Sequence, residues 1–254
     1  MSFFEIENLS LSFGGVKAVD GVSFSVNKGE VFTIVGPNGA GKSTIFNMIS
    51  SFYAPSEGRI RFEGADITDA KPDEISRLGI ARTFQNIELF EHSTLLQNLL
   101  IGREIHNKVP LWRQILFDPG VRRAEFEHRR QVEDVIDFLE LAHYRNERIA
   151  NLPYGVRKKI ELGRALCVAP QLLLLDEPAS GLNPEETEEM GFWIDDIKRD
   201  LGMTVLMIEH DMSLVNEVSD RVLALNNGRV ITEGSAQEVQ NHPDVVAAYL
   251  GGAA

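Results

Sequence analysis

A glycine-rich turn of eight residues, Gly36-Pro37-Asn38-Gly39-Ala40-Gly41-Lys42-Ser43, narrows the possible folds more than anything else in the sequence. It follows the apolar run Val31–Val35 and precedes a segment in which Ile45, Met48 and Ile49 have helical spacing. The pattern G-x-x-x-x-G-K-[ST] requires this order of buried strand, turn and helix. Glycines let backbone N–H groups approach phosphate oxygens, and the start of the following helix adds the positive end of its dipole. Lys42 then reaches the terminal phosphates of a nucleotide, and the Ser43 hydroxyl takes one position on Mg²⁺, with Thr44 next to it at the helix start. A Gly-rich turn without a ligand is the bland alternative, and the strand–helix context outweighs it.

The rest of the chain reads as the α/β fold that such a loop needs. Phe4, Ile6, Leu9 and Leu11 alternate, and residues 22–26 and 59–62 are also β-like. Residues 80–84 are a strand candidate, and 172–175 and Thr204–Ile208 are short apolar runs of buried parallel-strand type, with a helical segment over Pro184–Arg199 between these two. Alternating strand and helix favours parallel pairing with right-handed crossovers. Residues 222–225 and 229–232, joined by Asn227-Gly228, predict a hairpin, and a helix near 245–250 ends the chain. From about Gln85 to Leu166 the pattern turns helical, with apolar stripes at Leu95, Leu96, Leu99 and Leu100 and at Val132, Val135, Ile136 and Leu139, the second on a helix over about 121–141. The expectation is one domain over 1–254: an α/β core with a β-rich N-terminal edge from 1–84 and 167–254, and a helical subdomain inserted at 85–166.

Candidate chemistry sits at strand ends. Leu172-Leu-Leu-Leu-Leu-Asp176-Glu177 presents two adjacent carboxylates. Asp176 is placed to hold Mg²⁺ through water, and Glu177 to polarise a water attacking the γ-phosphate. A Glu beyond a strand end can equally be just solvated; the Pro178 turn and a downstream His favour the first reading. His210, after the strand Thr204–Ile208, is either a γ-phosphate sensor at the carboxyl edge of the sheet or an ordinary polar surface residue. Gln85 has the same two readings: a ligand to Mg²⁺ and the attacking water, or a loop amide. Asn107-Lys108-Val109-Pro110 begins like a guanine-reading motif but ends in proline, which has no carboxylate to read the base.

Composition removes other classes. A net charge of −13 and a pI near 4.9 oppose general attraction to nucleic acid. Against that background Arg103, Lys108, Arg113, Arg122, Arg123, Arg129 and Arg130 form one basic stretch, either a patch for acidic groups on a partner or on lipid, or a solvated helix face. The single Cys167 allows no intramolecular disulfide and no multi-cysteine metal site, which fits a reducing compartment. No apolar run approaches the roughly 20 residues that span a bilayer, and the start lacks the pattern of a signal peptide, so any membrane role runs through partners.

Taken together, residues 36–43, Gln85, Leu152-Pro-Tyr-Gly155, residues 172–177, Ser180-Gly-Leu-Asn183 and His210 resemble, in order and spacing, the ATPase subunits of ABC transporters, over essentially the whole chain. The resemblance implies ATP and Mg²⁺ as ligands, with Phe13 stacking on adenine. It implies a head-to-tail pair of ATPase subunits, each ATP lying between one phosphate loop and the other subunit's signature segment, here Tyr154 and Gly155. It further implies two transmembrane permease subunits, whose helices the region 85–130 would receive, and a position on the cytoplasmic face of the cell membrane for a protein that is soluble when isolated. Arg82-Thr-Phe-Gln-Asn86, the insert after Gly102, Ile208-Glu-His-Asp-Met212 and the ending His242-Pro-Asp-Val-Val-Ala-Ala-Tyr-Leu-Gly251 resemble more narrowly the branched-chain amino acid uptake subgroup. That subgroup pairs two different ATPase chains, a homodimer being the alternative, and is fed by a periplasmic or extracellular solute-binding protein; similar relatives serve urea, amides and other small polar substrates. A soluble ABC-type ATPase acting on ribosomes or DNA would carry a second ATPase domain or a long coiled-coil insert, and neither is visible. Two departures stand out. The usual Leu-Ser-Gly-Gly-Gln reads Leu152-Pro153-Tyr154-Gly155-Val156, which lacks the Ser hydroxyl and one N–H, and Asn183 stands where Asp is usual.

Overall fold

The computed structural model describes residues 2–106 and 119–250. Lys108, Arg113, the run 107–110 and Gly251 lie outside them. Two sheets are stacked. The first is antiparallel, in the order β2-β1-β4-β5: β1 (Phe4–Phe13), β2 (Val16–Val26), β4 (Glu57–Phe62) and β5 (Ala65–Asp66). Gly14 and Gly15, with φ of 52° and 92°, form the two-residue turn between Phe13 and its partner Val16. Positive φ at both turn positions suits the strand twist, so β2 starts at Val16, well before the expected residue 22. Along β1 the register shifts between Ile6 and Leu9, where Asn8 takes φ 49°; that irregularity lets Ile6 and Leu9, three apart, both face inward.

The second sheet runs β10-β9-β3-β8-β7-β6: β3 (Val31–Val35), β6 (Ile80–Arg82), β7 (Leu172–Asp176), β8 (Thr204–Ile208), β9 (Arg221–Asn226) and β10 (Arg229–Gly234). All neighbours are parallel except the β9–β10 hairpin, which turns on Asn227-Gly228 as expected. Burial on both faces explains the unbroken apolar runs. Leu172, Leu174, Leu206 and Ile208 pack toward the antiparallel sheet and α1 (Lys42–Ile49), whereas Leu173, Leu175, Val205 and Met207 pack toward the helices on the opposite face. Each buried Leu or Val contributes about 1.5–3 kcal/mol over leaving it in water.

After α2 (Pro72–Arg77) and β6, the helical stretch holds α3 (Leu95–Arg103), α4 (Pro119–Phe138) and α5 (Tyr154–Leu166). Leu95, Leu99, Val132, Ile136 and Leu139 join the core on that face, with Leu96, Leu100 and Val135 partly covered. α4 stops earlier than the expected residue 141 because Glu140 turns left-handed at φ 55° and the Leu141 amide closes back on the Ile136 carbonyl. β6 likewise ends at Arg82, beyond which the Thr83 amide still donates to the Leu174 carbonyl and its hydroxyl accepts from the Asp176 amide. α6 (Pro184–Arg199), α7 (Met212–Val218), α8 (Ala236–Gln240) and α9 (Pro243–Leu250) complete the chain.

The described members of the basic stretch do not all face solvent. Arg103 is buried and donates to the Cys167 carbonyl at 2.7 Å, Arg129 pairs with Glu125 one turn away, and Arg123 and Arg130 are exposed. Cys167 is buried, and burial pushes its thiol up to about 12, so it is a core residue. Among the described residues no helix is long and apolar enough to cross a membrane.

Candidate nucleotide site at the carboxyl edge of the parallel sheet

Because β3, β7 and β8 are parallel, the segments after Val35, Asp176 and Ile208 emerge along one edge. Ligands of open α/β sheets bind there. The phosphate loop follows β3 and leads into α1, whose first turn has no side-chain cap, so its amides keep open donors facing the loop. Gly41 takes φ 101°, and a Cβ there would lie 2.5 Å from the Ala18 carbonyl of β2, which holds the first sheet tightly against the loop. Lys42 is 6% exposed and donates to the loop's own carbonyls, Gly36 at 2.6 Å and Pro37 at 3.1 Å. Burial lowers its pKa, while the carboxylates of Glu177 and Asp176 push it back up.

Opposite Lys42 stand the two carboxylates. Asp176, the last residue of β7, is buried with Oδ2 on the Arg82 guanidinium at 2.7 Å, and its Oδ1 is buried with no hydrogen-bond partner. Glu177 sits at φ 51°, a left-handed conformation that costs a non-glycine residue about 1–2 kcal/mol. The Ile208 carbonyl accepts its amide at 2.9 Å, and Gln85 Nε2 donates to its Oε2 at 2.9 Å. His210 Nδ1 lies 3.9 Å from the same oxygen, close beside it but too far for a hydrogen bond. Gln85, Glu177 and His210 thus converge although they lie far apart in sequence. The Gln85 segment is held from the helical side: its carbonyl accepts from Lys158 at 3.0 Å, and the Phe84 amide donates to Glu161.

Several neighbours were not anticipated from sequence. Glu209 is fully buried, and its carboxylate accepts the amides of Ala179, His210 and Asp211 at 2.9, 2.6 and 2.9 Å, tying the segment after Glu177 to the one carrying His210. Arg82 grips Asp176. Tyr53 meets Phe13 edge-on, centroids 5.2 Å apart, forming an exposed aromatic corner on the hairpin that overlies the loop. Tyr249 of α9 lies beside the Gly36 amide; burial raises its hydroxyl's pKa and that amide draws it back down. For Glu209 the available signal was an acidic residue directly after an apolar strand; Tyr53 and Tyr249 gave none.

Tyr154 and Gly155 open α5 on another part of the surface. The Tyr154 hydroxyl donates to the Ser180 carbonyl at 3.2 Å, and its ring packs on Gly181. A Cβ on Gly155 would lie 2.3 Å from a Glu186 oxygen, so the start of α5 is seated against the start of α6. There Asn183 caps α6 by accepting from the Glu186 amide at 3.0 Å, and the Glu186 carboxylate accepts from the Asn183 amide at 3.0 Å. Pro153 holds the N-cap of α5 without any side-chain hydrogen bond.

The donors fit Mg²⁺. Asp176 offers an unpartnered buried oxygen, Ser43 an exposed hydroxyl and Gln85 an amide oxygen, and among the described residues no group of three His, Cys, Asp or Glu forms a self-sufficient metal cage. Mg²⁺ commonly takes one carboxylate and completes its shell with water and substrate phosphates.

A glycine loop heading an uncapped helix, with strand-end carboxylates opposite a buried lysine, defines a phosphate-loop nucleotide-binding protein. Comparison with known proteins narrows the class. The sequence pattern of the family described as "ABC transporter" matches residues 19–180, and that described as "Branched-chain amino acid ATP-binding cassette transporter" matches 229–254. The high-affinity branched-chain amino acid transport ATP-binding protein BraF of Pseudomonas aeruginosa is 37% identical over 247 residues, 97% of each chain. LivG of Salmonella typhimurium, with the same description, is 38% identical over 97% of this chain and 96% of its own. Among solved structures, the ADP conformation of an ATP-binding cassette of an ABC transporter superposes with a TM-score of 0.87 at 37% identity, covering 99% of both chains. A nucleotide-free cassette gives 0.86 at 36% identity, covering 98% of this chain and 99% of that one. The chain belongs to the ABC transporter family; it is a nucleotide-binding ATPase whose partners are membrane permeases.

Proposed function

We propose that this chain is the ATP-hydrolysing subunit of an importer for branched-chain or other hydrophobic amino acids. The observation that carries the chemistry is Glu177, held by Gln85 beside His210 and facing Lys42 across the loop. The narrower cargo assignment rests on the similarity to BraF and LivG over nearly the full length.

ATP phosphates displace the Lys42 ammonium from the Gly36 and Pro37 carbonyls, and amides among residues 38–44 take the phosphate oxygens. Phe13 stacks on adenine. Ser43, Asp176 and Gln85 would hold Mg²⁺, which when bound neutralises phosphate charge. Glu177 polarises a water for in-line attack on the γ-phosphate, Lys42 stabilises charge on the transferred group, and His210 contacts the γ-phosphate, giving ADP and phosphate.

A second ATPase subunit supplies the other face of each site through its counterpart of Tyr154 and Gly155. We assign that partner as a related but different chain, the pair docking on two transmembrane permeases at the cytoplasmic face of the membrane, with a solute-binding protein outside. The region 85–166 serves as the helical subdomain facing the permeases, and 1–84 with 167–254 as the ATPase core. Closing and reopening of the pair drives alternating access. Uptake of labelled leucine by the native cells tests the cargo: replacing the gene with Glu177→Gln should abolish high-affinity uptake, and intact leucine uptake with lost urea or amide uptake would overturn the assignment.

A further inference from the structure

Arg82 has no role in the mechanism above, yet both of its terminal guanidinium nitrogens are engaged. It is 9% exposed. One guanidinium nitrogen, Nη2, donates to Asp176 Oδ2 at 2.7 Å. The other, Nη1, donates to Asn47 Oδ1 at 2.8 Å and approaches Ser50 Oγ at 3.4 Å, both at the end of the helix that begins at the phosphate loop. The guanidinium carbon lies over the rings of Phe84 and Phe46, 5.2 and 5.5 Å from their centroids. The guanidinium therefore ties the metal-side carboxylate to the far end of α1 and to Phe84, the neighbour of Gln85.

Two consequences follow from charge and geometry. With Oδ2 occupied by Arg82, the Asp176 carboxylate is fixed about its χ2 axis, and the unpartnered Oδ1 is the oxygen left to receive a ligand. The ion pair offsets part of the Asp176 charge, so a nucleotide without metal meets less repulsion than a bare buried carboxylate would impose. A lysine could supply the charge but not the fork and the flat stacking surface.

We propose that Arg82 is a positioning residue for Asp176, which aims Oδ1 at the metal and screens the carboxylate while no metal is present. The inference rests on the reading of Asp176 as a Mg²⁺ carboxylate. It assigns a task to the Arg82-Thr-Phe-Gln segment beyond that of Gln85.

The test is binding of a fluorescent ADP analogue to the full-length chain, in excess Mg²⁺ and in chelator, for wild type, Arg82→Met and Arg82→Lys. Circular dichroism confirms folding of each. Removing the guanidinium exposes the phosphates to an unscreened Asp176, so Arg82→Met should weaken metal-free binding more than Mg²⁺-supported binding, raising the ratio of the two Kd values about ten-fold. Arg82→Lys should keep the ratio within about three-fold of wild type, since the charge is kept. A merely structural arginine would weaken both conditions by the same factor, and an unchanged ratio in Arg82→Met overturns the proposal. If Arg82→Met does not fold, Arg82→Gln decides it: the amide removes the charge but keeps a polar side chain, so the ratio should again rise about ten-fold, and affinity lost equally in both conditions overturns the proposal. If wild-type binding shows no dependence on Mg²⁺ at all, the reading of Asp176 falls first and takes this inference with it.

Discussion

Glu177→Gln separates chemistry from binding and folding. The substitution keeps the side-chain length, and the amide oxygen of Gln can still accept the 2.9 Å bond from Gln85 Nε2. Backbone strain is unchanged, because Gln at φ 51° carries the same left-handed penalty as Glu. Folding stability should therefore shift by no more than about 0.5 kcal/mol. What disappears is the carboxylate that polarises water, a contribution of about 10²–10⁴ in rate, or about 2.7–5.5 kcal/mol of barrier. Steady-state phosphate release should fall by that factor, while saturation with Mg²⁺-ATP should still stabilise the fold, by about 2.7 kcal/mol at a hundred times Kd. With hydrolysis stopped, ATP should also trap the paired state, visible by size-exclusion chromatography with the partner ATPase subunit or, if the pair is identical, alone. Turnover within about three-fold of wild type, with the fold intact, would refute the assignment of Glu177.

Other perturbations probe separate parts of the account. Pro153→Ser gives α5 a capping hydroxyl where the N-cap has none and restores one N–H, so stability should rise by up to about 1 kcal/mol and ATP turnover should increase; an unchanged rate shows the proline to be irrelevant. Glu209→Ala strands three amides that now donate to one buried carboxylate, and chemical denaturation should show a loss of about 3–5 kcal/mol, a loss below about 1 kcal/mol contradicting the bracing role. Glu133 is held below the usual carboxylate range chiefly by its hydrogen bond from Arg145. A depressed folded-state pKa adds stability above the unfolded value of 4.5 that is lost as pH falls through and below it, so from about pH 5 to about 3 the wild-type melting temperature should fall more steeply than that of Glu133→Gln, and parallel curves would contradict the coupling.

Local patterns carried the strands and the loop. Runs buried on both faces, such as Val31–Val35 and Thr204–Ile208, announce themselves by unbroken hydrophobicity, and the phosphate loop by glycines at fixed spacing. Misjudged boundaries came where backbone conformation overrides pattern: Glu140 turning left-handed inside an apolar helical stripe, and Gly14-Gly15 starting β2 before its apolar half. Short α2, α7 and α8 have too few turns to show periodicity. Gln85, Glu177 and His210 were nominated by position after strands, but their convergence depends on the parallel order β6-β7-β8. The grip of Arg82 on Asp176 spans 94 residues and two strands, and a single sequence carries no sign of such a pair. Arg103 shows the reverse: a residue counted with a basic stretch turns inward to cap the end of α5 at the Cys167 carbonyl.

Affinity capture of the tagged chain from detergent-solubilised native membranes, read by mass spectrometry, tests the transport reading most directly. Stoichiometric recovery of two polytopic membrane proteins and a second ATPase subunit is the expected result. Recovery of ribosomal or DNA-repair proteins in the same ratio, with no polytopic partner, would contradict the importer assignment while leaving the nucleotide site intact.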